Sequence, residues 1–477
     1  MRSFQQAQRL DPDCAMAYWG EALSFGPHIN AGMSQAAIDM AWDALQTAQR
    51  KATNATEKER AYIEALTTRY EQNPPANRRS LDRAYVNAMR ELAERYPDDP
   101  DAQALFAEAL MITTAWDYWE ADGSPNPTGE EITSTLLASM DKQPYHPGTN
   151  HFYIHTVETH HPERGEPQAD RMRDLVPAVG HLQHMPSHVY MQIGRYADAS
   201  LANEKAIAAD RRYLDEHGAH GMYRISYIPH NALFLCYTTL MEGRGEASLE
   251  ATETIRELTL DDYLYQPGYG SLTLGHALRY VVLEQFGRWQ EILDEPAPPA
   301  ELEFPTAMWH YARGMAYLRT GQPDSARTEW QRLDQLITDA VDRMDVWGET
   351  TTRTVLRIAA KLLESEIAAA ADNYTDAIAA ARDAVAAQDA LGYYEPPPWY
   401  GSARHTLGAL LLEAGRAAEA ERVYREDLRR LPENGWALFG LYQALDTQEK
   451  TEEAAGVSAR FDDAWSRADV ELTSSRL

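Results

Sequence analysis

Small and apolar residues recur along this chain in Ala-rich segments of helical character that end in Gly-Arg or Tyr-Pro-Asp turns, and strand-like alternation is almost absent. Residues 402–434 carry the pattern most fully, with Leu407-Gly408, Leu411, Gly415, Ala420, Tyr424 and Pro432. Small Gly408 and Ala420 let the two helices of a hairpin approach closely, Gly415 ends the first helix, and Pro432 stops the second. The same spacing returns at 307–338 through Gly314, Tyr317, Gly321, Ala326 and Trp330. Weaker copies centre on Gly194-Arg195-Tyr196, Gly243-Arg244, Gly287-Arg288-Trp289 and Asn373-Tyr374. One repeated helical unit predicts an all-α chain in a single continuous array, where 477 residues would otherwise suggest about three domains.

These residues are similar to the tetratricopeptide (TPR) pattern, a helix-turn-helix unit of about 34 residues. The resemblance covers most of the chain, clearly at 180–210 and 300–440. It implies an α-solenoid of TPR-like hairpins wound as a right-handed superhelix, with first helices lining a concave groove. Along that solenoid, 1–145 reads as N-terminal hairpins, 146–260 as His-rich central repeats with an inserted loop at 211–228, and 261–477 as C-terminal repeats. Phe4, Ala7 and Pro12 have second-helix spacing, so the first repeat is expected to be incomplete. Segments similar to His181-Leu-Gln-His-Met-Pro-Ser-His188 and Asn150-His-Phe-Tyr-Ile-His155 mark a bacterial subgroup of the family, to which no reaction is attached.

Histidine distribution adds chemistry. Of 15 His, eight fall between 146 and 188: His146, His151, His155, His160, His161, His181, His184 and His188. At about 100° per residue, His151, His155 and Glu158 share an arc of about 60°, and so do His181, His184 and His188. In the register that the TPR resemblance implies, both stripes and His230 face the groove. Three N/O ligands and an open position suffice for a catalytic zinc site, and iron or copper can use the same set. The metal-ligand candidates are therefore His151, His155, His181, His184, His188 and His230, with Glu158 as a ligand or a general base. A polar pocket without metal and a purely structural hydrogen-bonded cluster remain open alternatives. Pro186 is expected to kink the helix or to start a new one, and either outcome would shift the second stripe.

Other candidates line a ligand site. Trp116, Tyr118 and Trp119 either close a pocket by stacking or act as a packing plug. Thr128 with Glu131 reads as a capping box. Segment 211–228, with His217, His220, Tyr223, Arg224 and Tyr227, reads as a lid or a surface excursion. Glu395-Pro-Pro-Pro-Trp-Tyr400 is expected to be extended, leading Trp399, Arg404 and His405 towards the groove, or else to be a rigid connector. Tyr237 completes the set. Ser187 lacks the Gly-x-Ser-x-Gly elbow of a serine hydrolase, and no phosphate-cradling loop or dinucleotide fingerprint is present.

Composition narrows the partners. A formal net charge of −29 disfavours nucleic acid and anionic lipid. Two cysteines, Cys14 and Cys236, make no disulfide framework, and Cys14 reads as a soft ligand or a buried small residue. No stretch approaches a membrane span and the first residues lack a signal-peptide core, so the default expectation is a cytoplasmic protein. Two functional readings follow. One is a protein whose groove binds a divalent metal (Zn, Fe or Cu) or a small ligand, with metal-assisted chemistry as its extension. The other is a non-catalytic scaffold for peptides or proteins, basic or aromatic ones suiting the charge better than acidic tails.

Overall fold

The computed structural model describes residues 1–218 and 221–477. His220, one of the expected lid residues, lies outside them. The fold is an all-α helical repeat, and no strand occurs among the described residues. It comprises two compact units, Met1–Leu175 and Val176–Leu477.

In the second unit the sequence repeat has a visible cause. Gly194, Gly243, Gly287, Gly321 and Gly415 all adopt positive φ, between 65° and 83°. Each is followed by an N–H that reaches back to close the helix: Arg195 to the Tyr190 carbonyl, Arg244 to Thr239, Arg288 to Leu283, Gln322 to Tyr317 and Arg416 to Leu411, all at 2.8–3.0 Å. This six-residue bond is the Schellman cap, and it requires a left-handed residue that glycine adopts without steric cost. Asp372 takes the same role before Asn373, with φ of 56°.

Close approach follows from missing side chains. A Cβ on Gly408 would lie 2.3 Å from the Tyr424 ring, and one on Gly440 would lie 2.2 Å from it. Fully buried Tyr424 thus fills a notch cut by two glycines.

Repeats distant in sequence also meet within this unit. Trp436 Nε1 donates to the Leu240 carbonyl at 3.1 Å, Tyr400 Oη donates to the Leu233 carbonyl at 3.1 Å, and the Gly194 turn abuts Pro432 and Glu433. A simple stack, in which each repeat touches only its neighbours, would make none of these contacts.

Several local expectations change. Helix Pro127–Lys142 is capped by Asn126, whose side chain accepts from the N–H groups of Thr128 and Gly129, instead of by a Thr128 capping box. Pro127 occupies the first turn, where its missing N–H costs nothing. Much of 211–228 is ordered helix: residues 211–217 continue helix Tyr196–His217, and Tyr223–Tyr227 form a π-turn into helix Ile228–Met241. Tyr223 Oη donates to Asp210 Oδ1 at 2.5 Å and Arg224 donates to the Leu258 carbonyl. These bonds tie the stretch down.

Candidate metal centre

Pro186 begins helix Pro186–Gln192 directly after helix Gly180–His184, and Met185 between them keeps right-handed helical angles (φ −49°, ψ −38°). The proline sits where no N–H is needed, so the turn continues and the histidine stripe survives instead of shifting. His184 and His188 remain one turn apart, their Nε2 atoms at 2.7 Å.

Both rings have assigned orientations. Asn203 Nδ2 donates to the Ala199 carbonyl at 2.8 Å, which turns Asn203 Oδ1 towards His184 Nδ1 at 2.6 Å. Ser187 Oγ, 3.2 Å from the same nitrogen, spends its proton on the His184 carbonyl. His184 Nδ1 is therefore the donor. His188 Nδ1 lies 2.7 Å from Glu395 Oε2 and donates to that carboxylate. Each Nε2 then carries a lone pair, and the two lone pairs face each other. A cation between them, a proton or a metal ion, would offset the repulsion of the two lone pairs. Burial, reinforced by neighbouring His188 and His230, holds the His184 pKa well below the usual imidazole range.

The third imidazole comes from helix Ile228–Met241. The His230 ring lies 4.9 Å from that of His184 and 5.9 Å from that of His188, and ligand nitrogens of all three fall within 4.8 Å of one another. Phe234 packs against every member at 4.6–4.9 Å and supplies an apolar wall. Tetrahedral zinc with Zn–N of about 2.0–2.1 Å places ligand nitrogens about 3.3 Å apart, so the Nε2 pair would open by about 0.6 Å on binding. His181 stands further out, its ring 6.1 Å from His184 and edge-on to Tyr227 at 5.0 Å.

The first unit places a histidine pair and a carboxylate at helix Pro147–Val157 and its C-terminal cap. His155 Nδ1 lies 2.6 Å from Glu158 Oε1, both residues are buried, and the His151 ring is 4.9 Å from that of His155. Glu158 thus holds an imidazole in orientation. Trp116, at φ 65°, sets its edge against His155 at 5.6 Å. Tyr118 and Trp119 instead belong to the core, and Trp119 Nε1 donates to the Thr156 carbonyl at 2.7 Å. They are the packing plug. His160 and His161 lie against Trp119, and His146 caps its own helix through Thr149 N–H.

In the second unit, Tyr237, Trp399 and Arg404 line one cavity of about 320 Å³, together with Gln192, Asp389 and Tyr393. The Arg404 guanidinium donates to Asp389 at 2.6 Å. Tyr393 Oη donates to Glu395 Oε2 at 3.0 Å, the oxygen that also holds His188, so a hydrogen-bonded link joins cavity and histidines. His405 is used elsewhere. It is buried, 3.1 Å from Asp427 and 3.2 Å from Asn434, in a structural network. Burial opposes ionisation of Asp427, but His405, Ser402 and Asn434 together hold its pKa below the usual range. Cys14 is half-buried, and burial pushes the Cys236 thiol up, away from thiolate chemistry.

Asn203, Phe234 and Tyr393 had no signal in the sequence, and Glu395 stood out only as the start of the proline segment. Asn203 lies mid-helix among alanines, and Glu395 is separated from His188 by about two hundred residues of chain.

No protein-family model and no curated protein matches the chain. Among solved structures it is similar to the human IFIT1 dimer with m7Gppp-AAAA, at 12% identity over 90% of this chain and 87% of that one, with a TM-score of 0.33. It is also similar to yeast Tom70, at 12% identity over 94% and 92%, with a TM-score of 0.30. Likeness at this level says nothing about ligand or partner. Among the described residues, no helix is long and apolar enough to cross a membrane.

Proposed function

We propose that His184, His188 and His230 bind a divalent transition metal, zinc, iron or copper, and that the protein performs metal-assisted chemistry on a small molecule. The observation that carries this is the 2.7 Å approach of the His184 and His188 Nε2 atoms, on rings whose Nδ1 atoms are each engaged by an acceptor, Asn203 Oδ1 and Glu395 Oε2. Asn203 and Glu395 stand where partners of metal-bound histidines stand, fixing tautomer and ring angle. A bound metal with three nitrogen ligands supplies Lewis acidity and an activated water at its open position. Phe234 keeps bulk water from one side of the cluster. The cavity of Tyr237, Tyr393, Trp399 and Arg404 offers the small molecule aromatic walls and one guanidinium, and Tyr393 connects it to Glu395.

Metal analysis of protein purified without a polyhistidine tag tests the proposal. Close to one equivalent is expected in the wild type, with loss in His184→Ala. Sub-stoichiometric metal that does not respond to His184→Ala would falsify it.

A further inference from the structure

Residues 469–477 form no helix and run across the second unit in a series of specific seats. Asp469 accepts from the N–H groups of Gly245 and Glu246 at 2.7 and 3.0 Å. Trp465 Nε1 donates to the Val470 carbonyl, Leu472 enters the core, and Gln443 Nε2 donates to the Thr473 carbonyl. Ser475 is fully buried, its Oγ donating to the His405 carbonyl at 2.8 Å and accepting from Tyr424 Oη at 2.7 Å. Arg476 then donates to Glu366 Oε2 at 2.6 Å and Glu413 Oε1 at 2.8 Å, and Arg319 donates to the Leu477 carbonyl. Seven of the nine residues are held, by main chain and side chain together, as a peptide-binding surface holds its ligand.

Two features set this apart from ordinary packing. The Arg476 seat is incompletely satisfied: among the described residues, Glu366 Oε1 and Arg476 Nε are buried without a hydrogen-bond partner, a cost that a better-fitting occupant removes. A cavity of about 330 Å³ adjoins the same seat, bordered by Leu318, Arg319, Glu366, Glu413, Arg476 and Leu477, and leaves room for a bulkier segment.

We propose that this face is a recognition site for a basic protein segment, read as Ser-Arg followed by an aliphatic residue, and that residues 473–477 occupy it in cis. The chemistry is a buried hydroxyl seat followed by a guanidinium seat made of two carboxylates, which suits Arg because its fork can donate to both at once. A partner carrying the same pattern competes with the chain's own segment, so access depends on releasing Arg476.

The test uses the full chain and a fluorescein-labelled peptide of residues 469–477, read by anisotropy. Arg476→Ala is expected to bind the peptide at least about tenfold more tightly than the wild type, with Arg476→Lys between them, since Lys keeps the charge but loses the fork. Adding Glu413→Gln to Arg476→Ala should remove most of that gain. If Arg476→Ala does not fold, Arg476→Lys against wild type carries the comparison. Equal affinity of wild type and folded variant, or a gain indifferent to Glu413→Gln, overturns the proposal and leaves the segment as structural packing.

Discussion

Two residues far from each other in sequence decide the state of the histidines. Asn203 and Glu395 each accept a hydrogen bond from the Nδ1–H of one imidazole, and without them either ring could present its N–H to the other. Asn203→Leu removes the acceptor while roughly keeping volume, so metal affinity should fall by about 10–100-fold. Competition titration against a chromophoric chelator measures this, and an affinity equal to wild type would mean that His184 is oriented by something else. Asp210 shows the opposite case, a polar group that burial penalises. Its carboxyl is pushed up from 3.8 to about 6 by burial, against the hydrogen bonds from Tyr223 and Asn231. A carboxyl raised in the folded state stays protonated after the unfolded chain has ionised, so stability is fully present below the unfolded value and declines as pH rises through about 6. A shift of that size corresponds to about 3 kcal/mol. Urea unfolding of wild type and Asp210→Asn between pH 4 and pH 7 should therefore converge or cross as pH rises. Parallel profiles would show that Asp210 does not titrate in this window.

At the scale of elements, the repeated turn is the unit of construction, and its glycines do not all do the same work. Gly415, at φ 69°, has open space around it, so Gly415→Ala meets only the backbone cost of a left-handed residue, about 1–2 kcal/mol. Gly194, at φ 83°, also lies against the Pro432 carbonyl, which a Cβ would approach to 2.6 Å. Gly194→Ala should lower the melting temperature distinctly more than Gly415→Ala. Equal shifts would mean that the 194 and 432 turns separate readily in solution. The helical break at Pro186 belongs to this scale too. Because Met185 stays helical, two short helices behave as one rod and deliver His184 and His188 to the same side.

For the molecule as a whole, a metal held only by the folded chain must stabilise it by mass action. At free zinc about 100 times its Kd the gain is about 2.7 kcal/mol. Calorimetric melting with zinc and with chelator should therefore differ in the wild type and coincide in a His184→Ala/His188→Ala variant. A zinc-dependent shift that persists in the double variant would place the stabilising ion elsewhere.

Local pattern was enough to determine the helical repeat, the glycine turns and the two histidine stripes, because each depends on residues within about one turn of one another. The sequence therefore showed where Gly194, Gly415, His155 and His188 stand on their own helices, and also that Glu158 shares a face with His155. It misjudged the cap of the helix Pro127–Lys142, read at Thr128 but made by Asn126, whose side chain accepts from Thr128 and Gly129. Tertiary structure alone decided which aromatics are walls and which are core, because burial of Tyr118 and Trp119 depends on what the rest of the unit packs over them. It alone brought Glu395 to His188 and Arg476 to Glu366, contacts across about two hundred and about one hundred residues. Periodicity reports the face a residue occupies on its helix, but not which distant segment comes to cover that face. Here two such segments do so, one supplying the hydrogen-bond acceptor for His188 and the other the guanidinium at Glu366.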